Sequence, residues 1–231
     1  MDNINKNLIH FWNDKMKLDE RDKREYLNYK DKSLMDIVPS KRLYDKVVEL
    51  KDCKNVLDYG AGIGWASISL GLLNCHVDAV DMGDNIINTI EFYREAFHEH
   101  DNVKAFKIDS SWIKNVSSNT YDGIVCSNVL DVIPLETAKE ILFHFHRILK
   151  ENSKVIIGLN YYISLEQAKE SKMELVDGHY LFIDGILRLS SYSDLEWMDL
   201  FSMYFTVEEL SYFKWDGETK EARRLFVLKR K

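Results

Sequence analysis

Short apolar runs and longer helical stretches take turns along most of this chain, and their order predicts the architecture. From Asn55 onward, "NVLDYG", "CHVDAVD", "NVKAFKID", "YDGIVCSNV" and "SKVIIGLN" are compact β-rich runs. Among them, "WASISLGLL", "DNIINTIEFYREAF" and "LETAKEILFHFHRILK" carry apolar residues at helical spacing. In the last of these, Leu135, Ala138, Ile141, Leu142, Phe145, Ile148 and Leu149 form one stripe. Strand–helix alternation builds parallel strands joined by crossover helices, so the expected fold is α/β, a doubly wound sheet with helices on both faces.

The flanks break this rhythm. Residues 1–50 are charged and helical in pattern, which predicts an N-terminal helical cap. There "SKRLYDKVVEL" starts at Ser40 behind Pro39, and "KLDERDKREYLNYKDKS" reads as surface. Residues 51–231 form the main domain, with a lid-like insertion near 160–192. In that insertion "HYLFIDGILRLSSYS" places two β-rich runs around Asp184-Gly185, a two-residue hairpin signal. Ser193 and Glu196 then make the S-x-x-E of a capping box before "WMDLFSMYF". Finally, "TVEELSYFKW" and "EARRLFVLKR" read as an antiparallel strand pair.

Composition narrows the function classes. A length of 231 residues suits one α/β domain better than two, and a net charge of −7 argues against nucleic acid, DNA included, as the main partner. The basic end, "RRLFVLKRK", reads as a solvated terminal strand. No apolar signal region and no run of about 18 apolar residues is present, so neither secretion nor a membrane span is expected. Cys53, Cys75 and Cys126 are odd in number and far apart, as free thiols of a cytoplasmic protein would be. His144 and His146, two apart on a helix, point to different faces, so no metal site is expected.

The candidate chemistry lies in "VLDYGAGIGWASISL". Gly60, Gly62 and Gly64 follow the first predicted strand, and a helix begins directly after. In an open parallel sheet, ligands bind beyond the carboxyl ends of the strands. Bare backbone there lets a ligand approach closely. The NTPase loop G-x-x-x-x-G-K-[ST] is absent, and the dinucleotide spacing G-x-G-x-x-G fails because Trp65 stands at the third small position. Asp58 is unfavourable beside a pyrophosphate and favourable beside an ammonium group. Asp81 ends the second strand, where a carboxylate can accept from ribose hydroxyls. Asp109, with Ser110 and Ser111 beside it, ends the third and can accept from an adenine amino group.

These motifs resemble the class I S-adenosylmethionine-dependent methyltransferases. "LDYGAGIG" is similar to the family's D/E-x-G-x-G-x-G. The resemblance covers residues 55–231 and implies a Rossmann-like sheet of seven strands ending in an antiparallel pair. It implies that Asp58, Gly60, Gly62 and Gly64 border the methionine part of S-adenosylmethionine. Asp81 would take the ribose, Met82 would pack on the adenine, and Asp109 and Ser110 would lie at its amino group. From "YDGIVCSNVLDVIP", Ser127 and Asn128 would border the methionine end. "SNVLD" differs from the D/N-P-P-Y/F of enzymes that methylate DNA bases, so DNA is not the expected substrate.

Methyl transfer is an in-line displacement for which the cofactor carries the activation and a general base is optional. The catalytic residue is therefore unassigned, with Tyr161, His179 and Asp131 as candidates. Trp65, Trp112, Tyr161, Tyr162 and Tyr29 are candidates for the substrate side, with Trp12 and Tyr26 as further aromatic residues of the cap. The expected activity is transfer of a methyl group to oxygen or nitrogen of a small molecule. A protein or RNA methyltransferase, and a catalytically silent cofactor-binding partner subunit, are the alternatives. A nicotinamide oxidoreductase fits the glycine spacing poorly, and the oligomeric state is left open.

Overall fold

The computed structural model describes residues 2–99, 101–171 and 173–231. The chain opens with α1 (Asp2–Lys15), α2 (Glu20–Asn28) and α3 (Lys41–Val47). The alternating body follows as β1 (Asn55–Tyr59), α4 (Trp65–Gly71), β2 (His76–Asp81), α5 (Asp84–Ala96) and β3 (Val103–Lys107). It continues through α6 (Trp112–Asn115), β4 (Tyr121–Ser127), α7 (Leu135–Ile148) and β5 (Leu149–Leu159). The insertion contains α8 (Leu165–Glu170), β6 (Glu174–Val176), β7 (Tyr180–Ile183) and β8 (Ile186–Ser190). The chain then closes with α9 (Asp194–Ser202), β9 (Phe205–Phe213) and β10 (Arg223–Arg230).

The main sheet has seven strands in the order β3-β2-β1-β4-β5-β10-β9. The first five are parallel, and β10 runs antiparallel to both β5 and β9. The expected Rossmann-like sheet with its final antiparallel pair is therefore present. Helices cover both faces, because alternate strand residues feed two separate cores. Leu57, Ile124, Ile157 and Phe226 pack with α7 and α9, while Val56, Val125, Ile156 and Leu225 pack with α3, α4 and α5.

The expectation for the basic terminus is corrected. β10 lies between two partners instead of at a solvated edge, and Arg223 through Leu228 are all buried. The sequence puts four apolar residues in a row there, Leu225 to Leu228, the signature of a strand covered on both faces. Arg224, 1% exposed, donates to the carbonyls of Asn160 and Tyr192 at 2.8 and 2.6 Å, so its charge is spent inside the fold.

The insertion is richer than a single hairpin. Asp184 and Gly185 both take positive φ, 52° and 72°, as the two-residue turn demands. β6 adds a third strand to give the sheet β6-β7-β8. Short, partly exposed "ELV" gave no periodic signal for it. This small sheet is fastened to the segment after β4: the Ser190 N–H donates to the Asp131 carbonyl at 2.7 Å and its hydroxyl to the Ile133 carbonyl at 2.5 Å.

α1 is fastened at the other side. The Asn85 N–H donates to Asn13 Oδ1 at 2.8 Å, and the Thr89 hydroxyl donates to the Met16 carbonyl at 2.8 Å. The helix thus spans from the start of α5 to β8, where Arg188 meets Phe11. α2 packs differently, with Tyr26 edge-on against Tyr93, their ring centroids 5.2 Å apart. Among the described residues no helix is long and apolar enough to cross a membrane.

Candidate functional site

β1 and β4 are neighbours whose connections leave in opposite directions along the sheet, and a crevice opens at their carboxyl ends. There the structure holds one cavity of about 990 Å³. Its floor is the strand edge, and its cover comes from α1 and the β7–β8 hairpin.

The glycine loop borders this cavity. Gly60 and Ala61 donate their N–H groups to the Val80 carbonyl at 2.9 and 3.1 Å, pinning the loop over β2. Gly60 and Gly62 have φ of 71° and 55°, a region costly for residues with a Cβ. A Cβ on Gly60 would stand 2.3 Å from Val129 Cγ2, whereas at Gly62 it would meet nothing within 4 Å. The first glycine is thus needed for packing. The second keeps the cavity wall bare. Gly64 is not part of the lining; it caps the N-terminus of α4 and packs on Ile90.

The three predicted acids stand side by side on this edge, at the ends of three adjacent strands. Asp58 is 3% exposed, and its Oδ2 accepts from the Ser67 N–H at 3.1 Å and the Ser67 hydroxyl at 2.6 Å. Burial pushes its carboxyl up to about 6 against those hydrogen bonds. Asp81 Oδ1 accepts from the Met82 N–H at 2.7 Å and Oδ2 from the Gly62 N–H at 3.3 Å, and burial raises its pKa. Asp109 accepts from both the hydroxyl and the N–H of Ser111, at 2.6 and 2.8 Å, which lowers its pKa. Met82, Ser110, Ser127 and Asn128 also line the cavity. Asn128 takes φ of 58°, with its N–H bonded to the Gly158 carbonyl and its Nδ2 donating to Asn160 Oδ1 at 2.9 Å. Asparagine tolerates that left-handed backbone better than most residues.

The structure divides the predicted substrate residues. Trp65, Tyr161 and Trp12 line the cavity. Tyr29 does not; it is 56% exposed beyond the end of α2. Tyr162 lines a separate small pocket with Asp194 and Tyr212. Trp112 packs against the core under α6, outside the lining. Two catalytic candidates are also set apart from the cavity. His179 stacks on Tyr192 with centroids 4.2 Å apart, and its Nδ1 pairs with the Ser191 carbonyl at 3.2 Å. Asp131 is fully buried, its Oδ2 accepting from the Asn160 N–H at 2.6 Å and lying 4.0 Å from Arg224. It holds the loop after β5 in place. Tyr161 is the catalytic candidate that reaches the cavity. No group of three metal-ligating side chains occurs among the described residues.

Several lining residues escaped the sequence reading. Arg223 stacks 3.3 Å from the Trp215 ring centroid, pairs with Glu218 at 2.7 Å and donates to Asn160 Oδ1 at 2.5 Å. Arg188 on β8 and Lys6 on α1 also face the cavity. The one signal for Arg188 was a lone charge inside the apolar run "ILRLS". The indole N–H groups of Trp12 and Trp215 are buried without an acceptor at this wall. Bare backbone at Gly62, carboxylates at three strand ends and apolar cover above fit a ligand that carries an ammonium group, a ribose and an adenine.

A family model described as a methyltransferase domain matches residues 26–200. The chain belongs to this family. It carries a methyltransferase domain, and S-adenosylmethionine is the cofactor of that domain. Over 106 residues, 44% of the chain, it is 30% identical to a ribosomal protein L11 methyltransferase of Campylobacter fetus, and the match spans 35% of that relative's length. Among solved structures it is similar to the Burkholderia thailandensis 1,6-didemethyltoxoflavin-N1-methyltransferase, with bound 1,6-didemethyltoxoflavin and S-adenosylhomocysteine. That likeness has a TM-score of 0.65 at 13% identity, covering 85% of this methyltransferase and 80% of that chain. It is also similar to the N-methyltransferase NodS of Bradyrhizobium japonicum, with a TM-score of 0.59 at 12% identity, covering 91% and 97% of the two chains. At such identities the shared feature is the fold.

Proposed function

We propose that this methyltransferase transfers the methyl group of S-adenosylmethionine to oxygen or nitrogen of a small molecule enclosed in the cavity. The observation that carries this reading is the shape of the site. One covered cavity of about 990 Å³ holds both the acid-and-glycine edge and an apolar chamber beneath α1 and the hairpin. In this reading residues 1–50 act as the cap and the insertion near 160–192 as the lid of a cytoplasmic enzyme.

The cofactor supplies an activated methyl group. Gly60 and Gly62 let it approach the backbone, and Asp58 balances its ammonium group. Asp81 accepts from the ribose hydroxyls. Met82 packs on the adenine, and Asp109 and Ser110 meet its amino group. Ser127 and Asn128 bound the methionine end, and Gly64 supports the loop by capping α4. On the acceptor side, Trp65 and Tyr161 wall the chamber, which orients the nucleophile and excludes water. No histidine lines the chamber among the described residues. Tyr161 is the nearest candidate for moving a proton, and an acceptor already deprotonated at neutral pH needs none.

A second reading, methylation of a protein, draws on the stretch shared with the ribosomal protein L11 methyltransferase. The cover formed by α1 and β8 weighs against it. The test is transfer of labelled methyl from S-adenosylmethionine to three acceptor pools: extracted metabolites, protein and RNA. Label in the metabolite pool supports the proposal; label confined to protein or RNA overturns it. Binding of S-adenosylhomocysteine with no label in any pool would leave a silent cofactor-binding subunit.

A further inference from the structure

The cavity is electrically two-ended. Its floor carries Asp58, Asp81 and Asp109. Most other charges on its wall are neutralised by a neighbour: Lys107 by Asp84 at 2.6 Å, Arg223 by Glu218 at 2.7 Å, and Glu140 by Lys114 at 2.6 Å. Two cations on the covering elements are not. Lys6 lies on α1 and Arg188 on β8, and neither pairs with a carboxylate among the described residues.

Arg188 is the more committed of the two. It is partly buried, and its guanidinium carbon lies 4.4 Å from the Phe11 ring centroid and 5.8 Å from that of Trp12. Those rings hold the head in place and strip part of its hydration, while offering no anion. A half-buried guanidinium without a counter-charge is unfavourable unless a ligand supplies one. The second of these rings carries a further unmet donor, the buried Trp12 indole N–H. A planar fork held against aromatic rings matches a carboxylate in geometry as well as charge.

We propose that the methyl acceptor carries a carboxylate, and that Arg188 holds it at the roof of the cavity with the Trp12 indole N–H as an added donor. The inference rests on the reading of the chamber as the site of a small-molecule acceptor. It names the end of that molecule farthest in character from the acidic floor. The acceptor would then lie between a cationic roof and a cofactor seated on carboxylates, so its orientation is set before methyl transfer.

The test uses the full chain loaded with S-adenosylhomocysteine, titrated with a panel of hydroxy- and amino-substituted aromatic and aliphatic carboxylic acids, each paired with its primary amide. The expected result is at least one acid that binds tenfold or more tightly than its amide. That preference should shrink below threefold in Arg188→Met and persist in part in Arg188→Lys. Unchanged affinity for S-adenosylhomocysteine in Arg188→Met shows that the variant is folded. Equal binding of acids and amides, no acid bound at all, or a preference that survives Arg188→Met overturns the proposal. So does a tenfold loss of S-adenosylhomocysteine affinity in Arg188→Met with the acid preference intact, which would give Arg188 to the cofactor's own carboxylate. Failure of the unaltered protein to bind S-adenosylhomocysteine is a different result and overturns the underlying cofactor site.

Discussion

Asp81, the last residue of β2, accepts a hydrogen bond from the backbone N–H of Gly62 at 3.3 Å. The carboxylate and the bare loop are thus one assembly, with the acid held at the cavity wall by the backbone it serves. Asp81→Ala removes both this contact and the proposed ribose acceptor. Affinity for S-adenosylhomocysteine should fall at least tenfold, about 1.4 kcal/mol or more. Calorimetric titration measures this, and unchanged affinity in a folded variant would remove Asp81 from the ribose role.

Gly60 and Gly62 should respond differently to alanine. At Gly60 the new Cβ collides with Val129, so Gly60→Ala should cost about 1–3 kcal/mol of stability, partly recovered by adding Val129→Ala. At Gly62 no atom obstructs, and only the positive φ resists, at about 1 kcal/mol. Gly62→Ala should instead lose cofactor affinity, because its methyl group enters the cavity. Chemical denaturation together with titration separates the two; equal effects on folding would refute the distinction.

The Asp58 carboxyl is held up to about 6 by burial, against an ordinary value of 3.8. Between those pH values the folded chain binds the proton and the unfolded chain does not. Stability from this group is therefore highest below about pH 4 and falls as pH rises to about 6. Asp58→Asn keeps an acceptor for Ser67 and removes the charge, so its melting temperature should gain on the unaltered protein between pH 4.5 and 7. Affinity for S-adenosylhomocysteine should rise over the same window in the unaltered protein, as the carboxylate forms beside the ammonium group, and stay flat in the variant. A flat profile in both would separate Asp58 from that ammonium.

Asp131→Ala leaves the Arg224 guanidinium buried with Asp194, 3.5 Å away, as its remaining acid. The expected loss is about 3 kcal/mol of stability. Asp131→Asn should recover most of it by accepting from Asn160, without altering the pH dependence of turnover. A changed pH–rate profile would return Asp131 to a catalytic role.

Much of the framework was legible because parallel strands buried on both faces leave continuous apolar runs, and because turns declare themselves. Asp184-Gly185 and the Ser193–Glu196 capping box stand where their residues predicted. The cavity edge was legible for the same local reason: Asp58, Gly60, Gly62 and Asp81 lie at strand ends within one stretch of chain. The chamber was not. Arg188, Trp215 and Arg223 reach it from elements brought together only by the sheet order and by the insertion folding back. Tyr29 and His179 carried suitable chemistry, but nothing in a linear pattern reveals which way a loop residue turns. β10 misled for a related reason. Its arginines looked solvated, yet Arg224 meets carbonyls from distant segments.

The place of β10 also governs how the chain can assemble. β9 touches the main sheet only through β10, and β10 pairs with β5 across more than sixty intervening residues. Until residues 223–230 exist and fold back, β5 presents an open row of N–H and carbonyl groups along an apolar strand. An edge of that kind recruits other chains. The nascent protein is therefore most vulnerable to aggregation between the emergence of β5 and the pairing of β10 with it. Docking of the β9–β10 pair, a local hairpin ready to land as one piece, is the step that ends that exposure.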